Sequence, residues 1–394
     1  MKVPLSVKVL AFTTLYPNAA QPRHGIFLEH RLTHLARQPG IALRVVAPVP
    51  WFPFRHPRFG AYAAYARVPT AETRLGIAVT HPRYPVLPKI GMTVAPALMA
   101  AALLPKLCRL RRDFAFDVID AYYLYPDGVA AALLGRALGV PVRLSALGTD
   151  VSLIPRHAAP RAMILWAARQ AGATTAVCAA LADEMVRLGV AARHVRPILH
   201  GVDLALFRPP PDRAGVRAGL QVDGWVMLSV GHLIERKGHA IAIAALVDVP
   251  DATLLIAGDG PLDQPLRALA ARLGVAGRVR FLGHVDQSRL PDLFGAADAL
   301  VLCSDREGIA NVLLEALACG TPVAATAIWG TPEVIRVPEA GQLLAARTPA
   351  ALVAAIEALR AAPPARAATR AYAERFSWDA TAAQDAASLH AIVT

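Results

Sequence analysis

Short apolar runs alternate with amphipathic segments along the whole chain. The apolar runs have the length of β-strands and occupy residues 6–13, 41–48, 116–123, 141–148 and 174–179, then 225–231, 252–258, 279–283, 299–304 and 322–326. The segments between them, such as residues 25–38, have the character of helices. Such alternation favours parallel sheets covered by helices on both faces. We therefore predict an α/β fold made of two Rossmann-like domains.

A proline-rich stretch separates the two halves. Three consecutive prolines, Pro209 to Pro211, fall within residues 199–213, where neither a helix nor a central strand can continue. We predict an N-terminal domain over residues 1–199, a linker over 200–213 and a C-terminal domain over 214–376. Residues 377–394 read as a terminal helix capped by Ser377, and we expect this helix to cross back to the N-terminal domain.

Composition agrees with a folded globular protein. Of the 394 residues, 55% are hydrophobic, which excludes a disordered or fibrous chain. The four cysteines fall singly, without the spacing of a metal site or a disulfide framework, so we expect a reducing, cytoplasmic setting. Lys8 interrupts the apolar run near the N-terminus, which argues against a signal peptide.

Positive charge is concentrated in the first half of the chain. Residues 1–200 carry 24 Lys and Arg against 9 Asp and Glu, whereas residues 201–394 carry 17 against 20. A basic half points to an anionic partner such as an acidic glycan, a phospholipid surface or a nucleic acid. A solvated basic face would produce the same counts. No recognised motif supports nucleic-acid binding, so we expect no such partner.

The longest nearly continuous apolar run covers residues 90–105. It has 16 residues with Pro96 inside it, and a membrane-spanning helix needs roughly 20. We therefore expect no transmembrane helix.

A carboxylate interrupts an otherwise apolar segment in the second half. Glu315 stands within residues 312–319, whose other members are all apolar, and Glu307 precedes it by eight positions. Burying an unpaired carboxylate is costly, so Glu315 needs a partner. Asn311 and Glu315 are four residues apart and share a helix face. If helical rise extends back to Glu307, the two carboxylates are about 12 Å apart along the axis.

An elongated ligand with a negative middle fits this spacing. Its hydroxyl-rich ends would meet Glu307 and Glu315, while the backbone N–H groups that open the helix would face a diphosphate. Those N–H groups belong to Gly308, Ile309, Ala310 and Asn311. A nucleotide-sugar has this form. The alternative is a surface Glu307 and a Glu315 that is paired within the protein.

Two further loops supply groups for the same ligand. Arg236 and Lys237 are adjacent cations after the run 225–231. They follow a predicted parallel strand at its carboxyl end, where α/β folds bind ligands and where cations can clamp phosphate oxygens. The turn at residues 258–260, "GDG", follows the next strand and allows close approach of a base or ribose. It is not a G-x-G-x-x-G motif, which counts against a dinucleotide-dependent oxidoreductase.

Together these motifs resemble the retaining glycosyltransferases of family 4, which have the GT-B fold. The resemblance covers nearly the whole chain and is strongest over residues 231–333. Its most specific part is "REGIANVLLEALACGTPVAAT" (306–326), which is similar to the family's E-x7-E signature and the A-x-G-x-P-V strand entry after it. The "KG" loop, "AGDGP", "RVRFLG", "AADALVLCS" and "RFSWD" also occur in the order of the family.

The resemblance implies a role for each residue of the second half. Glu307 would contact the donor hexose and Glu315 the ribose. Lys237 would bind the diphosphate with help from Arg236, and the neighbouring donor-binding positions are Gly231 and His232. In the family the reaction takes place in a cleft between the two domains, which the parallel sheets face, so the first half should supply the acceptor site.

In the first half, three residues occupy positions that the resemblance makes functional. Gly25, in the loop at residues 14–27, would approach the donor phosphates. Tyr122 and Asp150 each follow a strand and would touch the donor sugar or the acceptor. The chain departs from the family where Tyr122 replaces a common histidine and His232 replaces a frequent arginine. The alternatives are a packing role for Tyr122 and a turn or cap role for Asp150.

Two segments bear on the acceptor. Residues 51–69 interleave aromatic side chains with Arg55 and Arg58, and residues 89–112 read as an apolar helix with a basic end. The basic residues of that helix are Lys89, Lys106, Arg109, Arg111 and Arg112. This composition suits the headgroup zone of an anionic membrane or a lipid-diphosphate acceptor. A buried domain helix with a solvated basic end is the alternative.

The predicted function is transfer of a hexose from a nucleoside-diphosphate sugar, with retention, to a hydroxyl of a glycan or lipid-linked acceptor. We expect bacterial surface-polysaccharide synthesis, a cytoplasmic location with peripheral attachment to the inner face of the membrane, and no metal or other cofactor. The predicted catalytic residues are Glu307, Arg236, Lys237 and Tyr122. A nucleotide-sugar epimerase of the same fold and a non-catalytic sugar-nucleotide-binding protein remain alternatives.

Overall fold

The chain forms two compact units in a computed structural model that describes residues 6–87 and 91–394. The first unit consists of Met1–Leu199 together with Trp378–Thr394, and the second of His200–Ser377. The predicted linker residues 200–213 therefore belong to the second unit. The helix predicted at the C-terminal end of the sequence belongs to the first unit, although it follows the second unit in the chain.

The strands are numbered in chain order. Those of the first unit are β1 (Val7–Phe12), β2 (Ile41–Val46), β3 (Val49–Pro50), β4 (Ala71–Arg74), β5 (Ile77–Thr80), β6 (Arg83–Tyr84), β7 (Val118–Tyr122), β8 (Val142–Ala146), β9 (Ala173–Ala176) and β10 (Val195–Pro197). Those of the second unit are β11 (Trp225–Val230), β12 (Ala252–Ala257), β13 (Val279–Gly283), β14 (Ala299–Leu302), β15 (Val323–Thr326) and β16 (Gly341–Leu344).

The α-helices are numbered in the same way. Those of the first unit are α1 (Ile26–Ala36), α2 (Ala61–Arg67), α3 (Gly91–Asp113), α4 (Val129–Leu138), α5 (Thr149–Ser152), α6 (Ala158–Gln170), α7 (Ala179–Leu188) and α16 (Trp378–Val393). Those of the second unit are α8 (Arg213–Gly219), α9 (His239–Ala245), α10 (Asp263–Arg272), α11 (Leu290–Ala296), α12 (Asn311–Ala318), α13 (Thr331–Val334), α14 (Pro349–Ala361) and α15 (Arg366–Ala373).

The first unit is built on a twisted sheet whose strands, in the described residues, follow the order β10-β9-β8-β7-β1-β2-β5-β4. All neighbours in this sheet are parallel except β4 and β5. Every residue of β7 and β8 is buried, as expected for central strands that are covered by helices on both faces. The apolar runs at 6–13, 41–48, 116–123, 141–148 and 174–179 all form strands of this sheet.

The second unit has a parallel sheet with the order β13-β12-β11-β14-β15-β16. The chain builds outwards in one direction from β11 to β13 and then in the other from β14 to β16, which is the doubly wound arrangement of Rossmann folds. The point where the order reverses lies between β11 and β14. Open α/β sheets bind their ligands at the carboxyl ends of the strands beside such a point. The α/β fold with parallel sheets in two domains is thus confirmed.

The helix α3 is longer than the apolar run that predicted it. It continues past Pro105 to Asp113 and packs against α4. By length and composition, the stretch Met92–Asp113 is the one helix in the described ranges that could cross a membrane. Within this helix, 28% of the 18-residue apolar stretch that qualifies it is buried in the protein. We expected the apolar run to be too short to span a membrane. The helix that contains the run is longer than the run itself, so this expectation was wrong about length. Lys89, predicted at the start of this helix, lies outside the described residues.

A buried network of charges joins α16 to the first unit. Asp385 accepts hydrogen bonds from Nε and Nη2 of Arg31 at 2.7 and 2.8 Å, and its Oδ1 lies 2.9 Å from Nη1 of Arg143. Arg143 also pairs with Asp120 at 2.7 Å. All four side chains are almost completely buried. Because a lone buried charge is very costly, this network ties α16 to α1, β7 and β8.

Candidate active site

The two predicted phosphate-binding cations lie on a short 3₁₀ turn after β11. This turn, Glu235–Lys237, ends at Gly238, whose left-handed φ of 72° leads into α9. A Cβ at Gly238 would approach the carbonyl oxygen of Cys303 to 2.1 Å. Only glycine therefore lets the turn pack this closely on the chain that leaves β14. The packing holds Arg236 and Lys237 beside the loop at 303–310.

Glu307 binds both cations directly. Lys237 Nζ donates to Glu307 Oε1 at 2.6 Å, and Arg236 Nη1 lies 3.1 Å from Oε2. The hydroxyl of Ser304 also donates to Oε1, at 3.0 Å. Arg236 is held in place by its hydrogen bond to the carbonyl of Arg306 at 2.7 Å. The structure thus brings together three of the predicted catalytic residues and adds Ser304, which sequence reasoning missed although it is the last residue of the run 299–304.

Electrostatics keep Glu307 ionised. Burial alone would raise the pKa of its carboxyl, but the charge and hydrogen bond of Lys237, followed by the charge of Arg236, lower the pKa below its ordinary value. Two cations face one carboxylate, so the cluster retains one positive charge. A net positive, partly buried cluster favours an anionic ligand beside it.

The helix α12 begins at Asn311, four residues later than Glu307. The idea that both glutamates lie on one helix was therefore wrong, because Ala310 has extended backbone angles and Glu307 lies in the preceding loop. The predicted anion site is nevertheless present. The backbone N–H groups from Gly308 to Val312 have no acceptor in the part of the chain that the structure describes. No side chain caps this helix end, so its donors are available to a ligand.

Glu315 lies one turn into α12 and differs from Glu307. It is half-buried, and among the described residues its carboxylate has no hydrogen bond or ion pair. Burial raises the pKa of its carboxyl from 4.5 to about 7. The alternative reading, a Glu315 paired within the protein, is therefore wrong. A partner from outside the protein would satisfy it.

Asn311 has a partner that the sequence did not reveal. Its Oδ1 lies 3.1 Å from Nδ1 of His200. The pair fixes the first residue of α12 against the beginning of the second unit. No sequence pattern signals this contact, because the two residues are 111 positions apart.

Glycines line the loops next to the cations. A Cβ at Gly231 would touch the side chain of Lys237 at 3.4 Å, and one at Gly258 would lie 1.9 Å from the carbonyl oxygen of Gly231. The loops after β11 and β12 are therefore in direct backbone contact, with φ of 148° and 154° at these glycines. His232 and Asp259 lie at their surface, 3.5 Å apart and more than half exposed.

Gly25 precedes α1 with a left-handed φ of 70°. A Cβ there would approach the carbonyl oxygen of Leu15 to 2.2 Å, so glycine is required where the loop closes on the helix. Its predicted contact with donor phosphates stays a prediction.

Tyr122 corrects a predicted catalytic role. It is completely buried at the end of β7, its hydroxyl accepts a hydrogen bond from Arg143 at 3.3 Å, and the guanidinium of Arg31 lies over its ring. Burial, with the charge of Asp120, raises its pKa well above the ordinary value. The residue belongs to the charge network around α16, so it does not line a sugar pocket. Its packing role was the alternative reading.

Asp150 is also a structural residue. Its buried carboxylate accepts hydrogen bonds from the backbone N–H groups of Leu124, Leu147 and Gly148 at 2.6–3.2 Å. Both carboxylate oxygens of Asp150 are thus occupied by backbone donors. The predicted substrate contact is therefore wrong, and the alternative, a role in organising the turn, is right. Asp127 does the same for the first loop, since it accepts hydrogen bonds from the N–H and hydroxyl of Thr14.

The predicted acceptor residues occupy two neighbouring segments of the first unit. Arg55, Lys106, Arg109 and Arg112 are exposed. Arg58 is exposed and stacks on Phe59, with 4.7 Å from the guanidinium carbon to the ring centre. Arg111 is partly buried and donates to the carbonyl of Leu138 at 2.7 Å. Arg111 therefore fastens α3 to the end of α4 and is the member of the set least available to a ligand.

No metal site is apparent in the ranges 6–87 and 91–394. Within them, no three His, Cys, Asp or Glu side chains are grouped so as to hold an ion. All four cysteines are free thiols.

Comparisons with known proteins identify the family. The family model described as "Glycosyltransferase Family 4" matches residues 25–206, and the one described as "Glycosyl transferases group 1" matches residues 216–376. A Bacillus subtilis teichuronic acid biosynthesis glycosyltransferase is 30% identical over 335 residues, which cover 82% of each chain. A D-inositol 3-phosphate glycosyltransferase of Streptomyces scabiei is 34% identical over 311 residues, covering 69% of this chain and 67% of that one.

Solved structures of similar fold extend over nearly the whole chain. Sucrose-phosphate synthase from Thermosynechococcus elongatus has a TM-score of 0.75 at 21% identity, and the match covers 96% of this chain and 97% of the synthase. Anabaena HepE in complex with UDP-glucose has a TM-score of 0.72 at 21% identity, and the match covers 98% of this chain and 99% of HepE. The fold is GT-B, and the chain belongs to glycosyltransferase family 4.

Proposed function

We propose that the protein transfers a hexose, with retention of configuration, from a nucleoside-diphosphate sugar that binds along the carboxyl ends of β11, β12 and β14. The observation that carries this proposal is the row of backbone N–H groups from Gly308 to Val312, which have no acceptor in the described chain and lie next to the Lys237–Glu307 pair. A diphosphate supplies the acceptors that these donors lack.

Each charged group has a distinct task in this reaction. Lys237, Arg236 and the start of α12 stabilise negative charge as the diphosphate departs. Glu307, held ionised by Lys237, positions the hexose and stabilises positive charge at its anomeric carbon. Glu315 accepts hydrogen bonds from ribose hydroxyls. The acceptor hydroxyl gives its proton to the departing phosphate on the same face of the sugar, so that no protein base is required.

The donor class has support from a structural neighbour. Anabaena HepE was crystallised with UDP-glucose and with UDP. We therefore choose UDP-glucose as the first donor to test. The acceptor is a hydroxyl of a glycan or lipid-linked saccharide, in the synthesis of a bacterial surface polysaccharide, in keeping with the teichuronic acid relative. We propose that the protein works in the cytoplasm, attached to an anionic membrane surface through Arg55, Arg58, Lys106, Arg109 and Arg112.

The proposal is tested by removing the charged cluster. The variants Glu307→Gln and Lys237→Ala should lower kcat by about a hundredfold to a thousandfold, because each removes a group that acts on the departing diphosphate or the sugar. The measurement is release of UDP from UDP-glucose, with and without candidate acceptors. The matched controls are Glu357→Gln and Arg272→Ala, which change the same charges at exposed positions of α14 and α10.

The product separates the remaining alternatives. A transferred hexose whose anomeric configuration matches the donor, read by NMR, supports the proposal, and inversion contradicts it. Interconversion of free nucleotide-sugars would identify an epimerase. Tight donor binding without turnover, for every acceptor tried, would identify a binding protein. Wild-type rates in both Glu307→Gln and Lys237→Ala would show that the site lies elsewhere.

A further inference from the structure

A cavity of about 380 Å³ lies in the first unit beside α3. Its walls come from the ends of β2 and β5, the start of β6 and the C-terminal half of α3. They combine an aliphatic part, formed by Val46, Pro82, Leu107 and Leu110, with several polar and charged side chains. This size and this lining suit a small amphiphilic ligand, since ligand sites combine apolar walls with a few placed polar groups.

Three cations line the same cavity. They are Arg83, Lys106 and Arg109, and none of them forms an ion pair with an acidic side chain in the described residues. Lys106 Nζ donates to the backbone carbonyl of Arg83 at 3.3 Å. Burial, followed by the charges of Arg83 and Arg109, lowers the pKa of Lys106. Asp113 is the acidic residue in the lining, so positive charge is in excess.

Arg83 shows most directly that a partner is missing. One end of its guanidinium donates to the carbonyl of Val68. Its Nη1 is buried and has no hydrogen-bond partner within the described ranges. Burial and the nearby charge of Arg55 lower the pKa of Arg83. A buried donor without an acceptor is unfavourable, and Arg83 is one of the residues that line the cavity.

An exposed aromatic surface adjoins this strand. The backbone N–H of Trp51 donates to the backbone carbonyl of Tyr84, the residue after Arg83, at 2.8 Å. Trp51, Phe54 and Tyr62 are 60%, 54% and 59% exposed. Aromatic side chains beside cations are typical of surfaces that sit at the level of lipid headgroups. The cavity and the aromatic surface therefore point to one kind of partner.

We propose that the cavity binds the phosphate of a membrane lipid, with the phosphate between Arg83, Lys106 and Arg109 and the adjoining hydrocarbon against the aliphatic wall. The inference rests on the proposed membrane attachment and deepens it by assigning a lipid-phosphate site. It does not depend on the donor site, because all of its residues lie in the first unit.

The test measures binding of a soluble lipid to the full chain. The probe is dihexanoyl phosphatidic acid in monomeric form, followed by calorimetry and compared with dihexanoyl phosphatidylcholine and with inorganic phosphate. Phosphatidic acid should bind at least about tenfold more tightly than either, which corresponds to a free-energy difference of about 1.4 kcal/mol. Equal binding of inorganic phosphate would overturn the lipid assignment, and equal binding of phosphatidylcholine would overturn the phosphate site.

A matched pair of variants on α3 locates the site. Arg109→Ala and Arg112→Ala remove the same charge from exposed positions three residues apart, but only Arg109 lines the cavity. Arg109→Ala, and more so Lys106→Ala with Arg109→Ala, should weaken phosphatidic acid binding about tenfold or more, whereas Arg112→Ala should change it less than about twofold. Equal effects of the two single variants would overturn the inference.

Unchanged UDP-glucose binding in Arg109→Ala would show that the donor site is intact. Loss of the lipid site and failure of the proposed transfer reaction can therefore be told apart.

Discussion

Glu307 and Glu315 have the same side chain and opposite surroundings. Glu307 is held by Lys237, Arg236 and Ser304, which lower its pKa. Glu315 has no partner in the described chain, and burial raises its pKa to about 7. The first carboxylate is thus charged before a ligand arrives, while the second is unfavourable in its charged form until a ligand supplies hydrogen bonds.

The variant Glu315→Gln should therefore gain stability and lose donor affinity. A group whose pKa is raised by folding stabilises the protein at low pH, and this stabilisation is lost as the pH rises from about 4.5 to about 7. The neutral amide avoids that loss. Urea denaturation should show the advantage of the variant over wild type increasing between about pH 5 and about pH 8.

Calorimetry with UDP-glucose gives the other half of this prediction. At about pH 7, ribose hydroxyls that bind the ionised carboxylate should make wild type release protons on binding, and Glu315→Gln should not. If the stability difference between Glu315→Gln and wild type were the same at about pH 5 and about pH 8, the unpaired state of Glu315 would be contradicted. If the two proteins released equal numbers of protons on binding UDP-glucose, the contact of Glu315 with the donor would be contradicted.

Residue roles in the second unit were predictable where charge stands in an apolar segment or at a strand end. Glu315, Arg236 and Lys237 are of this kind. Tyr122 also ends a strand and Asp150 comes soon after one, but burial decides their roles. Their partners Arg143 and Leu124 are more than 20 positions away in the chain. Such long-range contacts leave no pattern in a single sequence.

At the scale of elements, α16 depends on one buried aspartate. Asp385 meets two arginines from different elements, Arg31 of α1 and Arg143 of β8. Asp379 on the same helix lies 2.7 Å from Nδ1 of His34, but it is 79% exposed. The helix therefore carries a buried and an exposed aspartate, each in contact with a nitrogen-bearing side chain, that can be compared directly.

The variant Asp385→Ala should destabilise the protein by about 3–5 kcal/mol, because it leaves two buried guanidiniums with too little negative charge. Asp379→Ala should cost less than about 1 kcal/mol, as exposed pairs usually do. Denaturant unfolding of the full chain measures both. A small and equal effect of the two variants would mean that the buried network does not hold α16.

The long apolar strands were predictable as elements, because each lies in a mainly apolar run of the sequence. The short strands β4, β10 and β16 were not. The residues of β4 and β10 are largely exposed or partly exposed, and two of the four residues of β16 are only partly buried. The start of α12 was also misplaced, since Gly308 and Ala310 interrupt what the spacing of the two glutamates suggested was one helix.

At the scale of the whole molecule, charge is divided between the units. The first unit carries 24 Lys and Arg against 11 Asp and Glu, and the second 17 against 18. The excess in the first unit includes the exposed cations of α3 and of residues 51–69. Electrostatic attraction to an anionic surface should therefore be a property of the first unit.

Binding to vesicles of phosphatidylcholine with phosphatidylglycerol should weaken several-fold when salt increases from about 0.1 M to about 1 M, because the Debye length falls from about 10 Å to about 3 Å. Co-sedimentation measures the bound fraction. Vesicles of phosphatidylcholine alone serve as the control and should bind little at either salt concentration. Salt-independent binding would show that the basic surface is not what contacts the membrane.

The position of α16 in the chain has a consequence for synthesis on the ribosome. The first unit needs Asp385 to neutralise Arg31 and Arg143, yet this residue is translated after the whole of His200–Ser377. The first unit therefore remains incomplete until α16 has been translated. All strands of the second unit have been translated before that point. The nascent protein should complete its second unit before its first, so a truncated product would expose an unfinished, strongly basic N-terminal half to the cell's quality control.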